Sequence, residues 1–175
     1  MSDKIKNIAK NIQLLILDVD GVLTDGKINC IPDGELFKSF NIKDGMGVNL
    51  WVKKCNKHIA VITGRSKTLI QNRLNQIGIE LIYDNKEQKA QAYEDIKAHF
   101  GVDDSQVAYI GDDIIDLAPL KKAALGCAPA DAHFSAKDAA VYICSNVGGN
   151  GAVREVVDII LEEQGLYEEL INFYT

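Results

Sequence analysis

The chain has 175 residues, of which 47% are hydrophobic and 25% are charged. That length and composition are typical of one globular domain that buries a core without disulfide or metal staples. The formal net charge of -6 argues against a nucleic-acid partner, because binding to a phosphate backbone requires a basic face. No apolar stretch approaches the length that spans a bilayer, so we expect no membrane partner either.

The opening residues 1–10 contain lysines but no apolar run, so we expect no signal peptide and a cytoplasmic protein. The four cysteines show no CxxC pairing, and no histidine lies at zinc-finger spacing. We therefore expect reduced thiols rather than a disulfide framework or a zinc site.

The apolar run Leu14–Leu17 leads directly into Asp18 and Asp20, and Gly21 follows the second carboxylate. Such a run is typical of a buried parallel strand. Ligands of open α/β sheets bind beyond the carboxyl ends of these strands, so both carboxylates lie where chemistry is expected. The alternative is an Asx turn that only closes the strand, since Asp and Gly are ordinary turn residues.

Residues 26–41 predict a β-hairpin flap. Two strand-like segments, 27–30 and 35–40, flank the turn sequence Pro32-Asp33-Gly34. An isolated hairpin is only marginally stable in water, so its apolar face should pack against another chain or, alternatively, fold back on its own domain. The residues predicted on that face are Ile28, Cys30, Leu36 and Phe40.

Helical patterns alternate with short apolar runs along the rest of the chain. Helices are predicted over residues 44–56, 66–76, 87–100, 113–124 and 152–164. Further strands are predicted over residues 59–62, 81–83, 107–110, 126–128 and 141–143. This alternation predicts an α/β fold, a doubly wound parallel sheet covered by helices on both faces. Without a repeat or a linker, residues 1–175 should form a single domain that ends in a tail of residues 165–175.

Polar motifs follow three of those later strands. They are Thr63-Gly64-Arg65, then Lys89 near the start of a helix, then Gly111-Asp112-Asp113 with Asp116 beyond it. In this order, and together with the first aspartate pair, they resemble the motifs of the haloacid dehalogenase-type phosphatases over residues 14–154. One such match is common, but four in sequence after strand-like runs are specific.

The resemblance implies phosphoryl transfer through an aspartate. Asp18 would be the nucleophile, because an ionised carboxylate can form an aspartyl-phosphate that water later hydrolyses. Asp20 would donate the proton that the leaving oxygen needs and would then act as a base toward the water. Thr63, the Gly64 amide and Lys89 would surround the charge of the phosphoryl group.

The resemblance also implies a Mg²⁺ cofactor, which prefers oxygen ligands. Its protein ligands would be the carboxylates of Asp18 and Asp112 and the backbone carbonyl of Asp20. Asp113 and Asp116 would orient the lysine or the metal-bound waters. For Asp113 the alternative is a helix N-terminal carboxylate that interacts with the helix dipole.

The interval between Asp20 and Thr63 has room for a hairpin and one helix but not for a separate cap domain. Within the family, this capless layout resembles homotetrameric phosphatases of phosphorylated sugar acids, whose active-site walls come from neighbouring subunits. The implied substrate contacts are Asp20, Asn41, Ile42, Lys43, Asp44, Gly45, Gly64, Arg65, Arg73 and Lys89. Lys43 departs from the family pattern, because an arginine is common there, and a lysine keeps the charge but loses the guanidinium fork.

Arg65 and Arg73 suit a sugar acid, because a guanidinium pairs bidentately with a planar carboxylate. They lie eight residues apart, close to two helical turns, so both can face the same side. The alternative for Arg73 is a solvated helix face. Phosphatases of nine-carbon sugar acids should carry an acidic residue where Arg65 stands, which favours an eight-carbon acid. The competitor from another class is a phospho-acceptor signalling or binding module, although such domains lack the paired aspartates.

Two later segments leave alternatives open. The tail of residues 165–175, with aromatic Tyr167, Phe173 and Tyr174, can reach a neighbour's active site in this family, but a disordered terminus is equally ordinary. The glycine loop of residues 148–151 could close over a substrate or only initiate the last helix.

Overall fold

A computed structural model of the protein describes residues 2–32 and 34–175, with residues 34–36 described by their backbone. Its strands are β1 (Leu14–Leu17), β2 (Asn29–Ile31), β3 (Gly34–Phe37), β4 (His58–Ile62), β5 (Ile82–Tyr83), β6 (Val107–Ile110), β7 (Leu125–Ala128) and β8 (Tyr142–Ile143). Six of them form the main sheet, in the order β5-β4-β1-β6-β7-β8. Every neighbouring pair in this sheet is parallel.

Helices connect and cover the strands. They are α1 (Asp3–Ala9), α2 (Ile42–Asn49), α3 (Gln71–Ile77), α4 (Lys89–Phe100), α5 (Leu117–Lys122), α6 (Phe134–Ala139), α7 (Ala152–Glu163) and α8 (Tyr167–Tyr174). A π-helical turn, Leu50–Lys54, extends α2. Short 3-10 helices occupy Lys67–Leu69, Asp104–Gln106 and Ile114–Asp116.

The central strand β1 is buried on both faces of the sheet. Leu15 and Leu17 pack into the core shared with α1, α2, α3 and α7. Leu14 and Ile16 point into the second core, which α4, α5 and α6 cover. Because side chains alternate between the faces of a strand, a strand buried on both faces is apolar at every position. The predicted doubly wound parallel sheet is confirmed.

The predicted strands of the main sheet are all present, whereas three predicted helices differ in detail. The helix predicted at 44–56 begins earlier, at Ile42, because Asn41 caps it by accepting a hydrogen bond from the Lys43 amide. The helices predicted at 66–76 and 113–124 each begin with a 3-10 turn that is separate from the α-helix. Helices α1 and α6 were not predicted. Helix α6 buries only Ala136 and so lacks an apolar stripe, whereas the short helix α1 packs Ile5, Ile8 and Ala9 against the main core.

The hairpin β2–β3 forms a two-stranded sheet of its own. Ile28 and Cys30 are exposed, as expected for a surface that another chain could cover. Phe40, in contrast, packs against the core of its own domain, which is the alternative given for this face. The assignment of Leu36 concerns a side chain outside the described part of the structure.

The tail is helical rather than disordered. Leu170 of α8 is buried against the main core, and Tyr167 packs beside it. Phe173 and Tyr174 are exposed, and the Lys54 ammonium lies 3.5 Å from the centre of the Phe173 ring. Within residues 2–32 and 34–175, no helix has the length and apolar character needed to cross a bilayer.

Candidate active site

The carboxyl ends of three central strands bring the predicted site residues together. Because Leu17 pairs with Val61 of β4 and with Ile110 of β6, the residues that follow these strands meet at one edge of the sheet. A pocket of about 160 Å³ opens there. Its lining includes Asp18, Asp20, Thr63, Gly64, Arg65, Asp112 and Asp113. The sequence motifs therefore converge on one cavity, as expected at a switch point of a doubly wound sheet.

Lys89 reaches the pocket from the first residue of α4 and joins two carboxylates. Its Nζ lies 2.8 Å from Asp18 Oδ1 and 2.7 Å from Asp116 Oδ1, and all three side chains are buried. Burial lowers the pKa of Lys89, but the charges of Asp18 and Asp116 raise it more, so the net shift is upward. The lysine is therefore a fixed positive charge beside the Asp18 carboxylate.

Asp116 has donors on both of its oxygens. Oδ1 accepts hydrogen bonds from Lys89 and from the Tyr109 hydroxyl, while Oδ2 accepts from the amides of Asp112 and Asp113 at 3.1 and 3.2 Å. Gly111 allows this arrangement, since a Cβ there would lie 2.4 Å from Asp116 Cγ. With its oxygens engaged, this carboxylate orients its neighbours, which agrees with the predicted positioning role.

Asp113 also caps a short helix. Its Oδ1 accepts a hydrogen bond of 2.7 Å from the Ile114 amide at the start of the 3-10 helix Ile114–Asp116. The helix-terminal interpretation therefore describes its side chain, although Asp113 also lines the pocket. A role toward metal-bound water stays a prediction.

The site also offers carboxylate oxygens of the kind that hold a divalent cation. Asp18, Asp112 and Asp116 each place one such oxygen within 4.8 Å of the others. Burial raises the pKa of Asp112, and Asp18 and Asp116 raise it further. Burial likewise raises the pKa of Asp18, although Lys89 opposes the rise. Crowded buried carboxylates of this kind are stabilised by a hard cation such as Mg²⁺, and since Asp116 is engaged, Asp18 and Asp112 are the fitting ligands.

Gly21 allows Asp112 to approach the loop after β1. Its φ is +86°, which disfavours other residues. A Cβ at this position would lie 2.1 Å from Asp112 Oδ2. The glycine therefore brings the motif after β6 against the motif after β1.

Thr63 and Arg65 are joined by a local hydrogen bond. The buried Thr63 accepts a hydrogen bond at Oγ1 from the Arg65 amide, at 3.2 Å. The Thr63 amide donates to the Tyr83 carbonyl at 2.9 Å, and its carbonyl accepts from the Lys86 amide. These bonds fix Thr63 at the carboxyl end of β4, where it lines the same pocket as Asp18.

Comparison with known proteins agrees with this geometry. The model of the haloacid dehalogenase-like hydrolase family matches residues 53–156. The chain is 41% identical over 169 residues to the 3-deoxy-D-manno-octulosonate 8-phosphate phosphatase KdsC of Salmonella typhi, covering 97% of this chain and 89% of that protein. The chain belongs to the haloacid dehalogenase-like hydrolases.

Two solved structures of related phosphatases are similar to this hydrolase in both fold and sequence. The 3-deoxy-D-manno-octulosonate 8-phosphate phosphatase of Moraxella catarrhalis, in complex with magnesium, phosphate and KDO, aligns with a TM-score of 0.95 and 34% identity over 100% of both chains. The cobalt-bound deoxy-D-mannose-octulosonate 8-phosphate phosphatase of Haemophilus influenzae aligns with a TM-score of 0.86 and 39% identity, covering 90% of this chain and 92% of that one.

Lys38 is a site residue of this hydrolase that sequence analysis missed. Its ammonium pairs with Asp20 Oδ1, and only 2% of its side chain is exposed. No motif distinguishes it, since it is one lysine in the segment that leaves the hairpin.

The predicted substrate-binding segment at the start of α2 lies outside the pocket. Ile42 is 82% exposed and Lys43 is exposed, while Asn41 donates to Asn150 Oδ1 at 3.3 Å. Asp44 is buried, and its carboxylate accepts hydrogen bonds from the Gly151 and Arg154 amides at 3.1 and 2.8 Å. A contact between the Asp44 side chain and substrate is not supported by this geometry, because both oxygens cap α7.

Arg73 lies beside Gly45. A Cβ on Gly45 would be 2.6 Å from Arg73 Nη2, so the guanidinium packs directly over this glycine. The expectation that the two arginines share a helical face was wrong, because Arg65 precedes the 3-10 turn and α3 begins only at Gln71. Arg65 lines the pocket, whereas a substrate contact of Arg73 stays a prediction.

The glycine loop 148–151 is wedged against the loop that follows Asp20. The Gly149 amide donates to the Val22 carbonyl at 2.8 Å, and the Gly148 amide donates to Asp131 Oδ1 at 2.9 Å. A Cβ on Gly148 would lie 1.8 Å from the Gly21 carbonyl oxygen. The loop therefore packs against the loop that follows β1 and starts α7, while closure over a substrate stays a prediction.

Proposed function

We propose that this hydrolase removes the phosphate of 3-deoxy-D-manno-octulosonate 8-phosphate, in a Mg²⁺-dependent reaction of lipopolysaccharide biosynthesis. The observation that carries the proposal is the buried Asp18–Lys89–Asp116 network, which opens into a pocket that also contains Asp20, Asp112 and Arg65. The proposed substrate is inferred from two relatives, 41% and 34% identical in sequence to this chain, whose names specify this phosphate or its sugar acid.

The first half of the reaction forms an aspartyl-phosphate. An oxygen of Asp18 attacks phosphorus, and the bond from phosphorus to the sugar oxygen breaks. Asp20 gives its proton to that departing oxygen, which leaves as the alcohol. Lys89, the Thr63 hydroxyl and the Gly64 amide stabilise the charge on the phosphoryl oxygens. The fixed charge of Lys89 needs no reorganisation during this step.

The second half releases phosphate. Asp20, now ionised, takes a proton from water, and the water oxygen attacks phosphorus as the bond to Asp18 breaks. The carboxylates of Asp18 and Asp112 and the carbonyl of Asp20 would hold Mg²⁺, which supplies positive charge against the phosphoryl oxygens. Asp116 positions Lys89 during both halves, and Asp113 would orient water near the pocket.

Arg65 favours a sugar acid of eight carbons. It lies in the same pocket as the proposed nucleophile, where a guanidinium can bind the carboxylate of the substrate. A nine-carbon acid should instead be matched by an acidic residue at this position. Asn41, Ile42, Lys43, Gly45 and Arg73 are proposed to contact substrate across a subunit boundary, since they lie outside the pocket of a single chain.

A homotetramer in the cytoplasm would supply that boundary. Ile28, Ile31, Phe37 and Ile42 expose between 44% and 82% of their surfaces on the hairpin and the start of α2. Apolar residues clustered in this way indicate a protein interface. We propose that one domain of residues 1–175 carries the site, the hairpin flap of residues 26–41 and the tail of residues 165–175.

The test is phosphate release with Mg²⁺ from equal concentrations of the eight-carbon substrate, N-acetylneuraminate 9-phosphate and simple sugar phosphates, compared as kcat/KM. The eight-carbon acid should be strongly preferred, and the rate should fall to background when a chelator removes the metal. Preference for the nine-carbon acid would change the substrate but keep the mechanism. No turnover of any phosphate would overturn the proposal.

A further inference from the structure

We propose that Lys38 is a positioning residue for the acid step, fixing the Asp20 carboxyl group so that it can protonate the departing sugar oxygen. This inference rests on the proposed function, in which Asp20 is the general acid. It assigns a task to the hairpin that a purely structural flap would not have.

The first observation is the contact itself. The Lys38 ammonium binds Oδ1 of Asp20, and the lysine side chain is 2% exposed whereas that of Asp20 is 25% exposed. Burial costs a lysine rotamer entropy and hydration. The contact with Asp20 helps to offset that cost, and the buried side chain is held in one place. The contact is made at Oδ1, so in the proposed acid step Oδ2 would carry the proton that moves to the leaving group.

The second observation is that the chain on both sides of Lys38 is fixed. On one side Phe37 ends β3, where its carbonyl accepts a hydrogen bond of 3.1 Å from the Asn29 side chain. On the other side Phe40 packs into the main core, and Asn41 caps α2. The backbone that carries the ammonium is therefore anchored to both the hairpin and the domain.

The third observation is a matched lysine on the same flap. Lys27 precedes β2 whereas Lys38 follows β3; its ammonium is 3.0 Å from Asp25 and its side chain is 78% exposed. It offers the same charge and the same type of ion pair without contact to the pocket. An exposed pair of this kind contributes little, so Lys27→Met is the control for Lys38→Met.

The experiment compares substrates whose leaving groups differ in their need for a proton from a general acid. p-Nitrophenyl phosphate releases a phenolate that needs no proton, whereas a simple sugar phosphate releases an alcohol that does. We compare kcat/KM, because it reports the steps up to release of the alcohol or phenol. Lys38→Met should lower kcat/KM for a hexose 6-phosphate and for the eight-carbon substrate by about 10- to 100-fold. It should change the value for p-nitrophenyl phosphate by less than about threefold, and Lys27→Met should leave all three unchanged.

Asp20→Asn and the double variant separate this inference from the proposed function. Asp20→Asn should show the same selectivity for the alcohols, and adding Lys38→Met should cost nothing more, because both changes act through one carboxyl group. Full activity of Asp20→Asn would overturn the acid in the proposed function. If Asp20→Asn loses activity only toward the substrates that release an alcohol, but Lys38→Met loses equally toward all substrates, only the role of Lys38 is overturned.

Two further outcomes decide against Lys38 as a positioning residue. A loss confined to the eight-carbon substrate, with the hexose phosphate unaffected, would mean that Lys38 binds the sugar carboxylate. An additive loss in the double variant would mean that it acts without Asp20. If thermal unfolding shows that Lys38→Met does not fold, Lys38→Arg, which keeps the charge and changes the geometry, carries the same comparison.

Discussion

The site has two parts that are built by different means. The floor consists of Asp18, Thr63, Lys89, Asp112 and Asp116, which follow strand ends or begin a helix and bond through their side chains. What we call the wall is Lys38, which pairs with Asp20, together with the segments 41–45 and 148–151, which lie outside the pocket and join distant parts of the chain. The floor supplies the reacting groups and the wall supports the loop after β1, so the floor should be sensitive to chemistry and the wall to added volume.

The floor is tested most directly by Asp18→Asn. The amide keeps the size of the side chain but removes the nucleophilic oxygen, so turnover should fall by about four orders of magnitude or more. The thermal unfolding curve and the size-exclusion profile should stay close to those of the parent protein. A variant with near-parental rates would exclude the covalent route.

The wall should respond to a single methyl group. Gly148→Ala places a Cβ 1.8 Å from the Gly21 carbonyl oxygen, so one of the two loops must move. Overpacking of this kind costs about 1–3 kcal/mol of unfolding free energy, and displacement of the loop after Asp20 should lower kcat by about 10- to 100-fold. Urea unfolding and steady-state kinetics measure the two effects.

The control for that change is Gly101→Ala. Gly101 has a left-handed backbone, with φ of +67°, but beyond its immediate neighbours no atom of the described residues lies within 4 Å of the position that a Cβ would take. The alanine should therefore lose about 1–2 kcal/mol of stability from its backbone alone, with kcat unchanged. Equal kinetic losses in both variants would remove the distinction between wall and surface.

Tyr109→Phe tests whether the floor depends on the hydroxyl that donates to Asp116. The change removes one of the two donors to Asp116 Oδ1, which should cost about 1–3 kcal/mol. Because Asp116 holds Lys89, kcat should also fall by about two- to tenfold at unchanged KM. Tyr93→Phe is the matched control, since its hydroxyl donates to Asp104 at 2.9 Å and away from the pocket; it should reduce stability without reducing kcat.

Glu155 supports the wall from the start of α7, and its effect should depend on pH. Burial raises the pKa of Glu155, but hydrogen bonds from Ser145, Tyr142 and Asn146 lower it more, so the net shift is downward. A carboxyl with a lowered pKa stabilises the fold above its unfolded pKa of about 4.3 and loses that contribution as pH falls through the folded value.

Glu155→Gln should therefore be less stable than the parent at pH 7, by on the order of 1 kcal/mol, and the difference should shrink as the pH falls below about 4. Urea unfolding of both proteins across this range measures it, with kcat as the control readout. A difference that grows toward low pH would contradict the assigned sign.

Sequence alone predicted the floor far better than the wall. Asp18, Thr63 and Asp112 could be found because each follows an apolar run closely, and parallel strands place their carboxyl ends together. The bond from Arg154 to Asp44 joins residues 110 positions apart, and no local pattern records it. Lys38 and Gly148 depend in the same way on where a distant loop passes, which only the folded chain determines.

The position of β1 at the centre of the sheet also affects biogenesis. β1 is translated before both of the strands that pair with its edges, which end at Ile62 and Ile110. Until ribosomal synthesis passes Ile110, one edge of a four-residue apolar segment lacks its partner and can pair with other nascent chains. Hydrolytic competence must therefore await synthesis of β6, and chaperones that shield the nascent β1 segment should affect the yield of active enzyme more than its final rate.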